Sequence, residues 1–284
     1  MNPGTIITLT CPDSIGLVAR ITTCIANHGG NLLEVHQYTD LSSGWFFARL
    51  AIQAATPNWS PVAFEEQFSH LCKNLNAQWQ IRPANYRTPS AILVSKQHHC
   101  LADLLWRWQS GELPMDVRVV ISNHETCRHL VEREGIRFEF IPFSENTRSA
   151  FEKLSQTLHD SSVELIILAR FMRILPAHLC EKFAHRIINI HHSFLPAFVG
   201  ANPYRRAYER GVKLIGATCH YATPELDAGP IIDQQVIPVE HYHDPDDLSR
   251  LGRDCERLAL ARGVRYHLES RVLVHGQRAI VFRD

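Results

Sequence analysis

Between residues 91 and 190 five apolar runs of strand length recur: AILVS (91–95), DVRVVIS (116–122), RFEFIP (137–142), VELIILAR (163–170) and RIINI (186–190). Each is separated from the next by a segment able to form a helix. Short apolar runs alternating with helices imply a doubly wound, mostly parallel, Rossmann-like α/β sheet. LIGATCHYA and PIIDQQVIPV read as later strands, DPDDLSRLGRDCERLALARGVRYHL as a long helix capped by its acidic start, and RVLVHGQRAIVF as a terminal hairpin.

The rhythm before this region is different. TIITLTC reads as a strand, and DSIGLVARITTCIANHGG as a helix opened by Asp13 or Ser14 and closed by Gly29 and Gly30. NLLEVHQYTD and WFFARLAIQ flank the hairpin signal LSSG. SPVAFEEQFSHLCKNL is an amphipathic helix behind a Ser-Pro start, and AQWQIRP is a last strand. The order βαββαβ is the ferredoxin-like arrangement. RPANYRTPS carries two prolines and no periodicity, so the expected division is a first domain over 1–84, a linker over 85–90 and a second domain over 91–284.

The 29 basic and 29 acidic residues cancel, which leaves no global electrostatic footprint for nucleic acid or an anionic membrane. No apolar run reaches the roughly 20 residues of a membrane span, and the N-terminus does not read as a signal peptide. Eight scattered cysteines without a CxxC pair are expected to be reduced core thiols of a cytoplasmic protein.

In such sheets ligands bind outside the carboxyl ends of strands, and the fifth run opens into NIHHSFLPAF (189–198). Asn189 and His191 are two apart, so on an extended exit their side chains point the same way, and His192 the other. Asp227 stands in a Gly/Pro-flanked turn in HYATPELDAGPII. An amide that donates to an oxyanion, an imidazole that shuttles a proton and a carboxylate that orients the imidazole or holds the attacking water form an acyl-transfer or hydrolysis set. The alternative is a polar connection with no chemistry. Ser193 lies in no G-x-S-x-G elbow, so attack by water or an amine is expected rather than a covalent intermediate. His98, His99 and Cys100 invite a metal, but their spacing is not that of zinc sites, and capping and solvent-facing polarity is the expected role; no metal is expected. His241 and His243 with Asp244, Asp246 and Asp247 could bind a cation, but DPDD reads better as the cap and acidic first turn of a helix. Trp106 and Trp108 cannot both face one core.

INIHHSFLPAFVGANPYRRAYERGVKLIGATCHYATPELDAGPII closely resembles the signature of the folate-dependent formyltransferases and hydrolases. VVISNH (119–124), LARFMRIL (168–175) and HCLADLLWRWQSGEL (99–113) extend the likeness, and CPDSIGLVARI resembles an ACT regulatory domain. The resemblance implies Asn189, His191 and Asp227 as catalytic residues and hydrolysis of 10-formyltetrahydrofolate to tetrahydrofolate and formate, with no cofactor required. It places Phe171, Met172, Arg173, Ile174 and Leu175 along a pterin pocket, Leu226, Ala228 and Gly229 on a loop at the pterin edge, and His220 beside Asp227. Many relatives carry Lys or Arg where this chain has Asn202, which bears on folate-tail affinity.

The relatives that formylate a ribonucleotide open their domain with a glycine-rich turn that cradles a phosphate. Here Lys96, Gln97, His98 and His99 stand in its place, and bulky side chains keep a phosphate from the backbone. The relatives that act on tRNA add a further domain and a basic surface, so water is the expected acceptor. The ACT likeness implies a small amino-acid effector, methionine or glycine, near Ser14, Ile15, Gly16 and Asn31, and a homo-oligomer, dimer or tetramer; the alternative is a domain that serves oligomerisation alone. Two other readings stay open: a formyltransferase with an amine acceptor, and a non-catalytic folate or amino-acid sensor.

Overall fold

The computed structural model describes residues 4–56, 59–143, 147–196 and 203–283. The chain divides into two compact units, Met1–Tyr86 with Glu269–Leu273 and Ile280–Asp284, and Arg87–Leu268 with Val274–Ala279.

The first unit runs β1 (Thr5–Pro12), α1 (Leu17–Asn27), β2 (Gly30–Asp40), β3 (Trp45–Ala54), α2 (Pro61–Asn74) and β4 (Gln78–Pro83). Its strands lie in the order β2-β3-β1-β4, every pair antiparallel, which is the ferredoxin-like sheet. Both helices bury one face at four-residue spacing, Leu17, Ile21 and Ile25 in α1 and Phe64, Phe68 and Cys72 in α2. Ser60 caps α2 by accepting from the Ala63 N–H at 3.3 Å. Neither Asp13 nor Ser14 caps α1: the helix opens at Gly16 with φ 80°, and Ser14 Oγ accepts from Arg20 Nη2 at 2.8 Å instead. The sequence reading placed all of 91–284 in one domain. In the structure Leu273 and Phe282 bury with Phe47 of β3, because these late apolar residues complete a core of the first unit.

The second unit runs β5 (Thr88–Val94), α3 (His99–Gln109), β6 (Met115–Ser122), a 3₁₀ turn (Glu125–Cys127), α4 (Arg128–Glu132), β7 (Phe138–Phe140), α5 (Thr147–Asp160) and β8 (Leu165–Ala169). It continues with α6 (Ala177–Lys182), β9 (Ile187–His191), α7 (Pro203–Arg210), β10 (Leu214–Tyr221), β11 (Ile231–Pro238) and α8 (Pro245–Leu268). The C-terminal hairpin is β12 (Val272–His275) and β13 (Arg278–Val281). β5 begins inside the span read as a linker, since a proline is tolerated at the start of a strand.

The seven-stranded sheet has the order β11-β10-β9-β8-β5-β6-β7. β5 to β9 are parallel, and β10 is antiparallel to both β9 and β11. Every residue of β8 is buried, as expected of a parallel strand covered on both faces. The chain builds outward from β5 in one direction and then resumes at β8 in the other, so the strand order reverses between β5 and β8. A ligand crevice opens beyond the carboxyl ends of strands at such a point. α8 is capped as expected, Asp244 Oδ1 accepting from the Asp247 N–H at 2.8 Å.

Candidate active site

A cleft of about 450 Å³ is lined by residues from the exits of β8 (Arg170 to Leu175) and β9 (Asn189 to His192) and from the end of β10 with the loop that follows it (His220 to Asp227). β9 and β10 pair antiparallel with Asn189 opposite His220 and His191 opposite Thr218. Residues directly opposite on such a pair are side-chain neighbours. The Asn189 amide accordingly donates to His220 Nε2 at 3.1 Å, and His220 Nδ1–H donates to the Tyr221 carbonyl at 2.9 Å. Thr218, fully buried, donates to the Ser193 carbonyl at 2.9 Å and accepts from the Leu195 N–H at 3.0 Å, which shapes the chain just after His191.

Asp227 arrives on the loop between β10 and β11 with φ 55°. Its Oδ2 is 3.2 Å from His191 Nδ1 and its Oδ1 is 3.6 Å from His220 Nε2. Burial works to raise the Asp227 carboxyl, but effects led by the hydrogen bond from His191 outweigh it and hold the carboxyl well below the usual range. With Nδ1–H directed to a carboxylate, the neutral His191 ring keeps its lone pair on Nε2. That Nε2 is buried and has no hydrogen-bond partner among the described residues. The loop closes through Gly229, where a Cβ would lie 1.8 Å from the Tyr221 carbonyl oxygen, so only glycine allows this approach.

Phe171, Met172, Arg173, Ile174, Leu175, His220 and Leu226 all line the cleft, with Phe171 and Leu175 buried and Met172 and Ile174 exposed. Ala228 and Gly229 stand outside its lining. His192, expected to point away, lines it too: β9 ends at His191, and the alternation of side chains ends with it. Burial and the nearby Arg170 lower the His192 pKa to about 4. Asn202 lies outside the described residues.

Sequence reasoning missed a buried group beside the cleft. Glu256 of α8 accepts from His99 Nε2 at 2.8 Å and from Tyr204 Oη at 2.7 Å, and Arg170 Nε lies 3.4 Å from its Oε2. His99 thus faces Glu256 and not solvent, a correction to the reading above. His99, Cys100 and Glu256 place their potential ligand atoms within 4.8 Å of one another. Burial pushes the Cys100 thiol well above its usual range, and the guanidinium of Arg170 adjoins the same carboxylate. Both features disfavour a cation there. Trp106 is exposed, and Trp108 donates from Nε1 to the Met115 carbonyl at 3.1 Å.

In the first unit a cleft between α1 and α2 is lined by residues such as Arg20, Thr23, Asn27, His70 and Asn74. Ser14, Ile15, Gly16 and Asn31 are outside that lining, and Ile15 is fully exposed.

Residues 89–264 match the sequence model of the family described as formyl transferase. The chain is 46% identical over 275 residues to a formyltetrahydrofolate deformylase of Synechocystis sp., covering 96% of each protein. It belongs to the formyltetrahydrofolate deformylase family. The deformylase of Bacillus subtilis is 45% identical over 276 residues, 96% of this chain and 92% of that protein. The crystal structure of a formyltetrahydrofolate deformylase from Pseudomonas syringae pv. tomato is 44% identical and superposes with a TM-score of 0.96 over 100% of this chain and 95% of that one. That likeness extends over the ferredoxin-like unit as well as the doubly wound one.

Proposed function

We propose that the protein hydrolyses 10-formyltetrahydrofolate to tetrahydrofolate and formate. The observation that carries this reading is the orientation of His191: Asp227 holds Nδ1 at 3.2 Å while Nε2 stays unpartnered inside the cleft. In that tautomer Nε2 takes a proton from water as its oxygen attacks the formyl carbon. Asn189, anchored on His220 by one N–H, offers its second N–H to the oxyanion that forms. Nε2 then returns the proton to the leaving nitrogen of the folate. The pterin lies along Phe171 to Leu175, against Leu226 and beneath the backbone around Ala228 and Gly229. Asn189, His191 and Asp227 are the catalytic residues, and no cofactor is required. Family membership over both units supports water as acceptor, as do Lys96 to His99 where a phosphate-cradling glycine turn would stand.

The ferredoxin-like unit is read as an ACT-type regulatory domain that takes methionine or glycine near Ser14, Ile15, Gly16 and Asn31. The exposed edge strand β2 supports its pairing in a homo-oligomer, dimer or tetramer. The protein is assigned to the cytoplasm on its eight free cysteines. There it supplies formate for purine synthesis and balances the one-carbon folate pool.

The test is turnover of purified protein on 10-formyltetrahydrofolate without an amine. Steady release of formate, equimolar with tetrahydrofolate, is expected. Release only after an amine acceptor is added would identify a formyltransferase, and folate binding without turnover a sensor.

A further inference from the structure

Arg170 is a buried cation that the chemistry above leaves unused. It follows the last residue of β8 with φ 64° and is 8% exposed. β8 and β9 are parallel neighbours with Leu168 beside Asn189, so two residues further on Arg170 and His191 leave the sheet next to each other. Both line the cleft. Arg170 Nε donates to Gln97 Oε1 at 2.9 Å and lies 3.4 Å from Glu256 Oε2. Its Nη1 is buried without a partner among the described residues, as is His191 Nε2.

A buried guanidinium N–H left unpaired is costly, and a charged donor is satisfied best by an anionic oxygen. Glu256 does not meet that need, because its contact with Arg170 is through Nε, 3.4 Å from Oε2, and not through Nη1. The ligand must therefore enter through the cleft. It must also be small enough to sit between the exits of β8 and β9 and offer acceptor oxygens to Arg170 Nη1 and to His191 Nε2, once that nitrogen carries a proton.

We propose that Arg170 Nη1 and His191 Nε2 form a subsite for a small planar monocarboxylate, the formate released by hydrolysis. This rests on the hydrolase reading. Attack of water forms a C–O bond at the formyl carbon, the C–N bond breaks, and one proton of the water ends on the folate nitrogen. The other stays on the product as formic acid, which passes it to His191 Nε2. The products are tetrahydrofolate, formate and an imidazolium paired with Asp227. Formate then accepts from Nε2–H on one oxygen and from Arg170 Nη1–H on the other. Arg173, which also lines the cleft, adds a positive charge to the same space. Arg170 thus draws the product carboxylate off the folate nitrogen and disfavours the reverse reaction.

The test is titration of the protein with ¹³C-formate in the presence of tetrahydrofolate, followed by NMR, alongside formate inhibition of turnover. Unaltered protein is expected to bind formate, with nitrate competing and neutral formamide not. Arg170→Lys retains the charge beside Glu256 but loses Nη1. It is expected to bind formate about tenfold more weakly, the loss of one charge-assisted hydrogen bond, with tetrahydrofolate affinity unchanged. Equal formate affinity in a folded Arg170→Lys variant, or failure of nitrate to compete in unaltered protein, would overturn the subsite. Formate binding that depends on Arg170 in a protein without turnover would instead overturn the hydrolase reading and leave the subsite standing.

Discussion

Asp227 Oδ2 lies 3.2 Å from His191 Nδ1, and the other oxygen of the same carboxylate lies 3.6 Å from His220 Nε2. One side chain on a loop thereby addresses two histidines that stand on adjacent antiparallel strands. In Asp227→Asn the amide can present its N–H to Nδ1, which favours the tautomer with the proton on Nε2 and removes the base. A fall in kcat of about 10²–10⁴-fold is expected, with the melting temperature changed little. Steady-state kinetics beside a thermal melt separate the two. A variant with near-normal kcat would mean that His191 does not depend on this contact.

The acid limb of the pH–activity profile should not belong to Asp227, whose carboxyl is held well below the usual range. A depressed carboxyl contributes stability that is present above its unfolded pKa and is lost as pH falls through the folded one. Asp227 therefore stays ionised, and its partners stay bound, through the whole range in which an imidazole titrates. Asp227→Glu, if it retains activity, should show the same acid limb. An acid limb that moves with the carboxylate would place Asp227 itself in the titration.

Glu34 allows the same linkage to be read away from the cleft. Its carboxyl is lowered to about 2, chiefly by a hydrogen bond from His36 and then by Arg49, which donates at 2.8 Å. Its contribution to stability is complete above an unfolded pKa of about 4.3 and is lost as pH falls toward 2. Glu34→Gln should therefore lower the melting temperature at pH 7 and flatten its decline below pH 5. Parallel melting curves for the two proteins across that window would contradict the assignment.

Gly229→Ala tests whether the Asp227 loop needs its close approach to β10. The new Cβ would lie 1.8 Å from the Tyr221 carbonyl oxygen, which is backbone and cannot turn aside. The loop must shift, with a loss of about 1–3 kcal/mol and a larger proportional loss of kcat as Asp227 leaves His191. Stability measured by urea unfolding, with kcat on the folded fraction, decides it. Unaltered kcat would show that the loop tolerates displacement.

Gly263 of α8 poses a simpler packing test, because a Cβ there would come 2.3 Å from Cys219 Sγ in β10. Gly263→Ala should destabilise by about 1–3 kcal/mol. Adding Cys219→Ala removes the clashing sulfur and should restore part of the loss. Two effects that simply add would place the cause elsewhere.

The strands of the doubly wound sheet were legible because strands buried on both faces read as unbroken apolar runs, as LIILA does in β8. Asn189 and His191 were legible from their spacing on a strand exit, and the resemblance added His220. The Glu256 group was not. His99 and Glu256 are 157 positions apart and meet only because α8 packs against α3, so no local pattern marks either. His192 was misplaced by extending alternation one residue past the end of β9. The start of α1 was misplaced because Gly16, in a left-handed conformation, opens the helix where Asp13 and Ser14 had the better capping chemistry.

The central claim is that water attacks the formyl carbon with His191 as its base. A single turnover of 10-formyltetrahydrofolate in H₂¹⁸O measures it most directly. One labelled oxygen in each formate is expected, with formation slowed in His191→Ala and the label unchanged in what little forms. Formate without label, or none at all until an amine is supplied, would contradict it.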